Sequence, residues 1–181
     1  MNYELETERL LLRPVSIGDL PAVAALMTDY DVAKNLSTAP YPYTLKDAEA
    51  FYGKHAESRA RGEAHVFALI RKSDGAFIGK NGLHAKDGVV EMGYWVGKPY
   101  WANGFATEAA RRVVDFAFND LNLERIVAGW FEDNPASGRI LSKLGFVGTE
   151  TIERNSVARG HIVRCNMMMV TREAFQLGEA A

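Results

Sequence analysis

Three short β-rich runs, with only a few residues between them, most constrain the fold of this chain. The runs are His65–Arg71, Ala76–Leu83 and Val89–Val96, and the turn signals Ser73-Asp74-Gly75 and Asp87-Gly88 separate them. Strands joined by such short turns pair antiparallel, because a parallel pair needs a crossover of about a dozen residues or more. The runs therefore predict an antiparallel meander.

Helical and extended segments flank this meander on both sides. Before it we expect a strand ending at Pro14, a helix capped by Ser16, and a helix that begins at the Thr44–Asp47 capping box and ends near Arg61. After it the patterns predict a helix over Phe105–Phe118, a strand over Leu123–Phe131, a helix opened by Asn134-Pro135 and closed by Gly145, and strands over Phe146–Ile152 and His161–Val170.

This order of elements indicates an α+β fold class, with a mixed, mostly antiparallel sheet and helices on both faces. We expect one domain over residues 1–175 and a loose tail over Gln176–Ala181. The formal net charge of −2 argues against a general nucleic-acid binder. The start MNYELETERLLLRP is acidic where a signal peptide is basic, and no apolar run reaches the ~18 residues of a membrane span. We therefore expect a cytoplasmic protein with neither a membrane nor a nucleic-acid partner.

The cysteine and histidine residues give no sign of a metal site. Cys165 is the one cysteine, which excludes an internal disulfide and a Cys-rich zinc site. The four histidines show neither HxxxH nor HxH spacing, so we expect no metal cofactor.

The stretch YWANGFATEAA, from Tyr100 to Ala110, places a glycine directly before a predicted helix. The first backbone N–H groups of a helix lack intrahelical partners and carry roughly half a positive charge, so they bind phosphate without a lysine. Gly104 allows the backbone to approach the anion closely, and Ala106 is small for the same reason. The stretch has neither GxGxxG nor GxxxxGK[ST], so an ordinary turn is the alternative.

The preceding strand, EMGYWV, has Gly93 at its centre. An interior glycine often marks a bulge or a close backbone approach. A bulge there would splay the strand from its neighbour and expose backbone groups to which an extended ligand can bond like an added strand. A ligand with an amide-bearing arm and a pyrophosphate end suits both features, and coenzyme A has that shape.

Three segments in this order resemble the GCN5-related N-acetyltransferase family. They are TERLLLRP at the start, EMGYWVGKPYWANGFATEA in the middle and NPASGRILSKLGF near the end, and they look most like the ribosomal-protein N-terminal acetyltransferase branch. The resemblance implies the acyl-CoA N-acyltransferase fold, with a splayed pair of strands in its sheet. It also implies transfer of an acetyl group from acetyl-CoA, as co-substrate, to an amine.

The resemblance also implies which residues bind the coenzyme. Trp95 and Val96 would bond the pantetheine arm through their backbone, and Asn134 and Ser137 would lie at its far end. The residues that would wrap the pyrophosphate are Trp101, Ala102, Asn103, Gly104, Phe105, Ala106 and Thr107. The family loop is usually [Q/R]xxGx[G/A], and here Trp101 stands at the polar first position.

A second departure concerns the general acid. Many family members have a tyrosine four residues before the Gly-Phe pair, where this chain has Leu141. We assign Glu91 as the general base, directly or through a water, and Ser137 as a hydrogen-bond donor to sulfur; Tyr94 and Tyr100 are reserve candidates. The alternatives are a solvated strand glutamate at Glu91 and a serine that bonds its own helix backbone at Ser137.

The leading hypothesis is therefore an acetyl-CoA-dependent N-acetyltransferase. Its acceptor would be the α-amine of a ribosomal or other protein, or a small-molecule amine, and dimers occur in the resembling branch. The absence of the usual tyrosine keeps open a second hypothesis, an acetyl-CoA-binding sensor or scaffold without turnover. A dinucleotide-binding oxidoreductase is disfavoured, because the βαβ unit with its three-glycine turn is missing.

Overall fold

The computed structural model describes residues 3–179. Its strands are β1 (Leu5–Glu6), β2 (Leu10–Pro14), β3 (Ala64–Arg71), β4 (Phe77–Lys86), β5 (Val89–Val96), β6 (Arg125–Phe131), β7 (Val147–Ser156) and β8 (His161–Thr171). Its α-helices are α1 (Leu20–Met27), α2 (Tyr30–Ala33), α3 (Leu45–Ala60), α4 (Phe105–Asn119), α5 (Pro135–Lys143) and α6 (Arg172–Glu179).

The eight strands form one sheet in the order β1-β2-β3-β4-β5-β6-β8-β7. Strands β3, β4 and β5 form the predicted antiparallel meander, and β5 with β6 is a parallel pair in an otherwise antiparallel sheet. The predicted α+β class is confirmed. A doubly wound dinucleotide-binding fold is ruled out, because that fold needs a mostly parallel sheet.

Helices cover both faces of the sheet, and the sheet separates the core into two layers. On one face α4 buries the apolar stripe expected from its sequence, with Ala109, Val113 and Phe116 fully buried against β2–β6. On the other face α1, α2 and α3 pack over a second cluster that includes Val23, Met27 and Ala68. No helix among residues 3–179 is both long and apolar enough to cross a membrane.

The helix termini follow the capping signals in the sequence. The Thr44 backbone N–H donates to Asp47 Oδ2 over 2.8 Å, and the Asp47 N–H donates back to Thr44 Oγ1, so the capping box opens α3. Asn134 caps α5, because its Oδ1 accepts from the Ser137 N–H over 3.4 Å.

Short elements without strong periodicity were missed, among them the two-residue strand β1 and the single turn α2. The sequence also predicted a loose tail from residue 176, whereas helix α6 continues to Glu179; Ala180 and Ala181 lie outside the described residues. Phe175 explains the helix, since it is buried with its ring centroid 5.7 Å from that of Phe118 on α4. One anchored aromatic residue is too small a signal for a periodicity argument.

Two glycines provide a test of this packing. A Cβ at Gly79 would overlap the carbonyl oxygen of Trp95 on β5, whereas a Cβ at Gly53 in α3 would meet no atom within 4 Å. We expect Gly79→Ala to destabilise the fold by about 1–3 kcal/mol through overpacking. We expect Gly53→Ala, its matched control, to stabilise by roughly 0.5–1 kcal/mol through helix propensity. Urea unfolding monitored by circular dichroism measures both, and equal effects would contradict the close strand packing at Gly79.

Candidate active site

The sheet opens between β5 and β6. These strands pair at two positions, Glu91 with Val127 and Met92 with Ala128. Beyond them β5 stays paired with β4 as far as Val96, and β6 stays paired with β8 to its own end. The two halves of the sheet therefore diverge, and a cavity of about 830 Å³ lies along the opening. The predicted splayed pair is confirmed.

The predicted bulge at Gly93 is wrong. Gly93 pairs with Gly82 in a continuous β4–β5 register, so the splay arises on the β6 side alone. The glycine has a different role, because a Cβ at this position would meet no atom within 4 Å and Gly93 lines the cavity. The missing side chain leaves open space at the point where the strands part.

The loop before α4 contains two left-handed backbone conformations. Ala102 has a φ of 61° and Gly104 a φ of 79°. Glycine adopts this region freely, whereas an L-residue such as alanine pays about 1–2 kcal/mol for it. Helix α4 then begins at Phe105, and no side chain caps its N-terminus. The backbone N–H groups of that first turn are therefore available to an anion.

Trp101 fixes this loop to the end of β5. Its indole N–H donates to the backbone oxygen of Val96 over 2.6 Å. The aromatic residue at the polar loop position thus supplies a structural hydrogen bond. Asn103 turns away from the cavity and is the one predicted coenzyme contact that does not line it; its side-chain amide donates to the carbonyl oxygens of Trp101 and Tyr100, over 2.8 and 3.3 Å.

The other predicted coenzyme contacts line one continuous cavity, together with Glu91. They are Trp95, Val96, Trp101, Ala102, Gly104, Phe105, Ala106, Thr107, Asn134 and Ser137. Residues from β5, the loop, α4 and α5 thus surround the opening, although Glu91 and Ser137 lie 46 positions apart in the sequence.

Tyr94 and Ser137 form a pair of hydroxyl groups across the cleft. Tyr94 Oη on β5 lies 2.9 Å from Ser137 Oγ in the first turn of α5, and it also donates to the Ser137 carbonyl oxygen over 3.3 Å. Burial raises the pKa of Tyr94 to about 12, so its hydroxyl stays protonated at neutral pH. Ser137 Oγ therefore bonds a side chain across the cleft, which differs from the alternative of a serine bonded to its own helix backbone.

Leu141 cannot act in place of the usual tyrosine. Its side chain is 0% exposed and belongs to the core between α4 and α5. No proton donor therefore comes from this position, and Tyr94 is the tyrosine that contacts α5.

Glu91 is held by an arginine that sequence reasoning missed. Arg154 on β7 places Nη1 2.6 Å from Glu91 Oε1 and Nη2 3.4 Å from Oε2. The carboxylate raises the pKa of Arg154, chiefly through this hydrogen bond. The ion pair fixes the position of the Glu91 carboxylate on the wall of the cavity. No local pattern relates β7 to β5, since β6 and β8 lie between them in the sheet, and only the folded chain brings the two side chains together.

His84 is a second group that was not assigned from the sequence. It pairs with Glu91 across the β4–β5 hairpin, and its ring centroid lies 5.4 Å from that of His55 on α3. Burial lowers the pKa of both histidines, that of His55 to about 3, and leaves both rings neutral at neutral pH. The signal was available, because counting back from the turn at Asp87-Gly88 pairs His84 with Glu91. Within residues 3–179 no three or more His, Cys, Asp or Glu side chains form a metal-binding group.

Two remote segments close the far end of the cavity. The Val157 N–H in the β7–β8 turn donates to Ser37 O over 3.0 Å, and Arg159 Nε donates to Lys34 O over 2.8 Å. Arg159 also binds Asp133 through two hydrogen bonds. The loop after α2 and the β7–β8 turn therefore meet at this end of the opening.

The three carboxylates that line the cavity are all paired with cations. Glu91 binds Arg154, Asp133 binds Arg159, and Asp31 lies 2.6 Å from Lys34 and 2.7 Å from Lys98. The lysines lower the pKa of Asp31 to about 2. The cavity thus presents no unpaired carboxylate from its lining residues to a polycation.

Comparison with known proteins agrees with this geometry. The family model described as an acetyltransferase (GNAT) domain matches residues 9–147. The chain is 28% identical over 174 residues to the uncharacterized N-acetyltransferase p20 of Bacillus licheniformis, covering 94% of this chain and 97% of p20. It is 33% identical over 150 residues to the uncharacterized N-acetyltransferase YoaA of Bacillus subtilis, covering 78% and 81%.

Among solved structures, RimL, a ribosomal L7/L12 α-N-protein acetyltransferase in complex with coenzyme A, superposes with a TM-score of 0.83. The identity is 16%, with 95% of this chain and 99% of RimL covered, so the likeness concerns the fold. The splayed sheet, the uncapped helix N-terminus and the family match define an acyltransferase. This chain belongs to the GNAT family of acetyltransferases.

Proposed function

We propose that this protein transfers the acetyl group of acetyl-CoA directly to a primary amine, the α-amine of a protein N-terminus or that of a small molecule. The observation that carries the proposal is the continuous cavity between β5 and β6, with polar groups on both walls. At one end lies the loop from Trp101 to Gly104 before α4, which we call the anion loop. The thioester of acetyl-CoA supplies the activated acetyl group.

The groups around the cavity suit an extended coenzyme. Trp95 and Val96 offer β5 backbone groups on the side where β6 has moved away. The first-turn amides of α4, after the left-handed Gly104, suit a pyrophosphate. Asn134 and Ser137 line the opposite wall from α5.

The amine side of the reaction falls to Glu91. An alkyl ammonium has a pKa near 10.4 and an α-ammonium one near 7.7–8.0, so an acceptor must lose a proton before it attacks. We assign Glu91 as the general base, which accepts this proton through an ordered water that passes it from the ammonium to the carboxylate. A backbone N–H on the open side of β5 is the donor that we propose for the tetrahedral oxyanion.

The thiol side falls to the pair of Tyr94 and Ser137. A departing thiolate has a pKa near 8.5 and needs little help, but a hydrogen-bond donor stabilises it as the C–S bond breaks. Ser137 is our choice for the donor to sulfur. Tyr94, protonated at neutral pH, keeps that hydroxyl oriented through the contact between the two oxygens.

The acceptor end favours an amine with one positive charge. Because Asp31, Glu91 and Asp133 are already paired, a polyamine or aminoglycoside finds no free carboxylate on them. The α-N-protein activity in the name of RimL points the same way. Among the alternatives we therefore favour a protein or peptide N-terminus.

Thiol release from acetyl-CoA tests the proposal. We expect release with N-terminal peptides to exceed that with polyamines, free amino acids or aminoglycosides in a parallel scan. A coenzyme A-binding sensor would instead be stabilised by the ligand, by about 2.7 kcal/mol at a hundredfold excess over Kd, and would release no thiol with any amine. If acetyl-CoA produces neither stabilisation nor thiol release, the proposal is overturned.

We expect Glu91→Gln to lower turnover at neutral pH by about 10²-fold or more and to recover partly at high pH, where the amine is already deprotonated. The measurement is the pH–rate profile at saturating acetyl-CoA. Glu91→Gln also leaves the Arg154 guanidinium without its carboxylate, so the double variant Glu91→Gln/Arg154→Met is the matched control. If the double variant regains full activity, the role of Glu91 is only to neutralise Arg154. An unchanged pH–rate profile in Glu91→Gln would remove Glu91 from the mechanism.

Tyr94→Phe and Ser137→Ala should each lower kcat by roughly tenfold while leaving the KM for acetyl-CoA within about twofold. The double variant should lose little more than either single variant, because the two hydroxyl groups act as one unit. Ser142→Ala, an exposed serine on the same helix, is the control and should behave like the wild type. Fully additive losses would show that the two hydroxyl groups act independently.

A further inference from the structure

The segment TERLLLRP, which helped to identify the family, lies outside the proposed chemistry but touches the anion loop. Thr7 and Arg9 lie between β1 and β2, and both bind the carboxylate of Glu108 in the first turn of α4. Thr7 Oγ1 donates to Oε1 over 2.6 Å, the Arg9 backbone N–H donates to the same oxygen over 2.9 Å, and Arg9 Nε donates to Oε2 over 2.7 Å.

Arg9 also contacts the loop itself. Its Nη1 donates to the backbone oxygen of Asn103 over 2.9 Å, and its guanidinium carbon lies 4.7 Å from the centroid of the Phe105 ring. Gly104 lies so close that a Cβ there would be 3.4 Å from Arg9 Nη2. One side chain thus contacts Asn103 in the loop and Phe105 at the start of α4, on either side of Gly104.

The contact with Asn103 sets the direction of one peptide unit. In a trans peptide the C=O and the following N–H point to opposite sides. Because Arg9 holds the Asn103 oxygen on the β2 side, the Gly104 N–H points to the other side. Gly104 and Ala102, on either side of Asn103, are the left-handed residues of the loop, and this peptide would otherwise rotate most easily.

Arg9 also compensates a charge that works against anion binding. Burial opposes ionisation of Glu108, but the hydrogen bonds from Thr7 and Arg9 outweigh it and hold the pKa of this carboxyl below its usual value. The carboxylate is therefore charged at neutral pH, in the same helical turn as the amides that face the anion. An unpaired Glu108 would repel a pyrophosphate there.

We propose that Arg9 is a positioning residue for the coenzyme, which holds the Asn103–Gly104 peptide with its N–H toward the pyrophosphate and neutralises Glu108 behind it. The inference rests on the proposed function, since it takes coenzyme A as the ligand of the loop. Arg9 acts through the loop and does no chemistry, so its loss should affect coenzyme binding and spare the turnover of bound substrate.

The test is Arg9→Met, with Kd for coenzyme A measured by titration calorimetry alongside kcat and the KM for acetyl-CoA. We expect Kd and KM to rise by about tenfold to hundredfold, as for lost hydrogen bonds to charged groups, with kcat within about twofold of wild type. The Kd of Arg9→Lys should lie between those of the wild type and Arg9→Met, because one ammonium cannot span both Asn103 and Glu108. Adding Glu108→Gln to Arg9→Met should recover part of the affinity by removing the repulsion.

The control is Arg13→Met at the far end of β2. Arg13 makes an equally close two-point ion pair with Asp19, over 2.8 Å at each contact, but does not touch the loop. It should lower thermal stability and leave Kd unchanged. If Arg9→Met does not fold, Glu108→Gln alone is measured, and it should weaken coenzyme binding by releasing Arg9.

Two outcomes would overturn the inference. One is an unchanged Kd in Arg9→Met or, where that variant does not fold, in Glu108→Gln. The other is a loss that disappears with dephospho-CoA, which retains the pyrophosphate but lacks the 3′-phosphate, because Arg9 would then bind that phosphate directly. A wild-type protein that binds no coenzyme A would refute the proposed function itself, and the two failures are thereby distinguished.

Discussion

The backbone pairing between β5 and β6 is confined to two residue pairs, and the site depends on the short length of this ladder. A longer ladder would close the cleft. Without any ladder, the two halves of the sheet would separate. The ladder ends where Gly93 on β5 faces Gly129 on β6, and neither residue has a side chain to fill the gap. A Cβ at Gly129 would meet the sulfurs of Cys165 and Met167, so side chains of β8 already occupy its side of the gap. The opening thus has empty space beside Gly93 on β5, whereas the side chains of β8 fill the space beside Gly129 on β6.

Because side chains alternate along a strand, β5 presents different chemistry to the two faces of the sheet. Glu91 and Trp95 point toward the face that α1–α3 cover, and Tyr94 points toward α4 and α5. The opening connects these faces, so an acceptor and a coenzyme can approach the same carbonyl carbon from opposite sides. In our proposal the base and the hydroxyl pair therefore need not compete for space.

Local signals predicted the scaffold of this site, and long-range contacts completed it. The short turns predicted the meander, and the Asn134-Pro135 start predicted the helix that carries Ser137, since both signals lie within a few residues of the structure that they specify. Arg154 and Arg9 could not be assigned in this way, because each partner lies on an element more than sixty residues distant. The Gly93 prediction was right in its consequence and wrong in its cause, since an interior glycine marks either a bulge or an open space and sequence alone does not separate the two.

The position of Leu141 clarifies how the site dispenses with the usual tyrosine. Ser137 and Leu141 are four residues apart, so they lie on one face of α5, and a long side chain at Leu141 would extend toward the N-terminus of the helix, over Ser137. Leucine is too short to reach that point and packs into the core. Tyr94 instead brings a hydroxyl to Ser137 from the opposite wall, 2.9 Å from its Oγ. The hydroxyl thus reaches a similar place from a strand instead of a helix, and burial keeps it protonated. The departure that kept open a sensor without turnover is therefore compatible with catalysis.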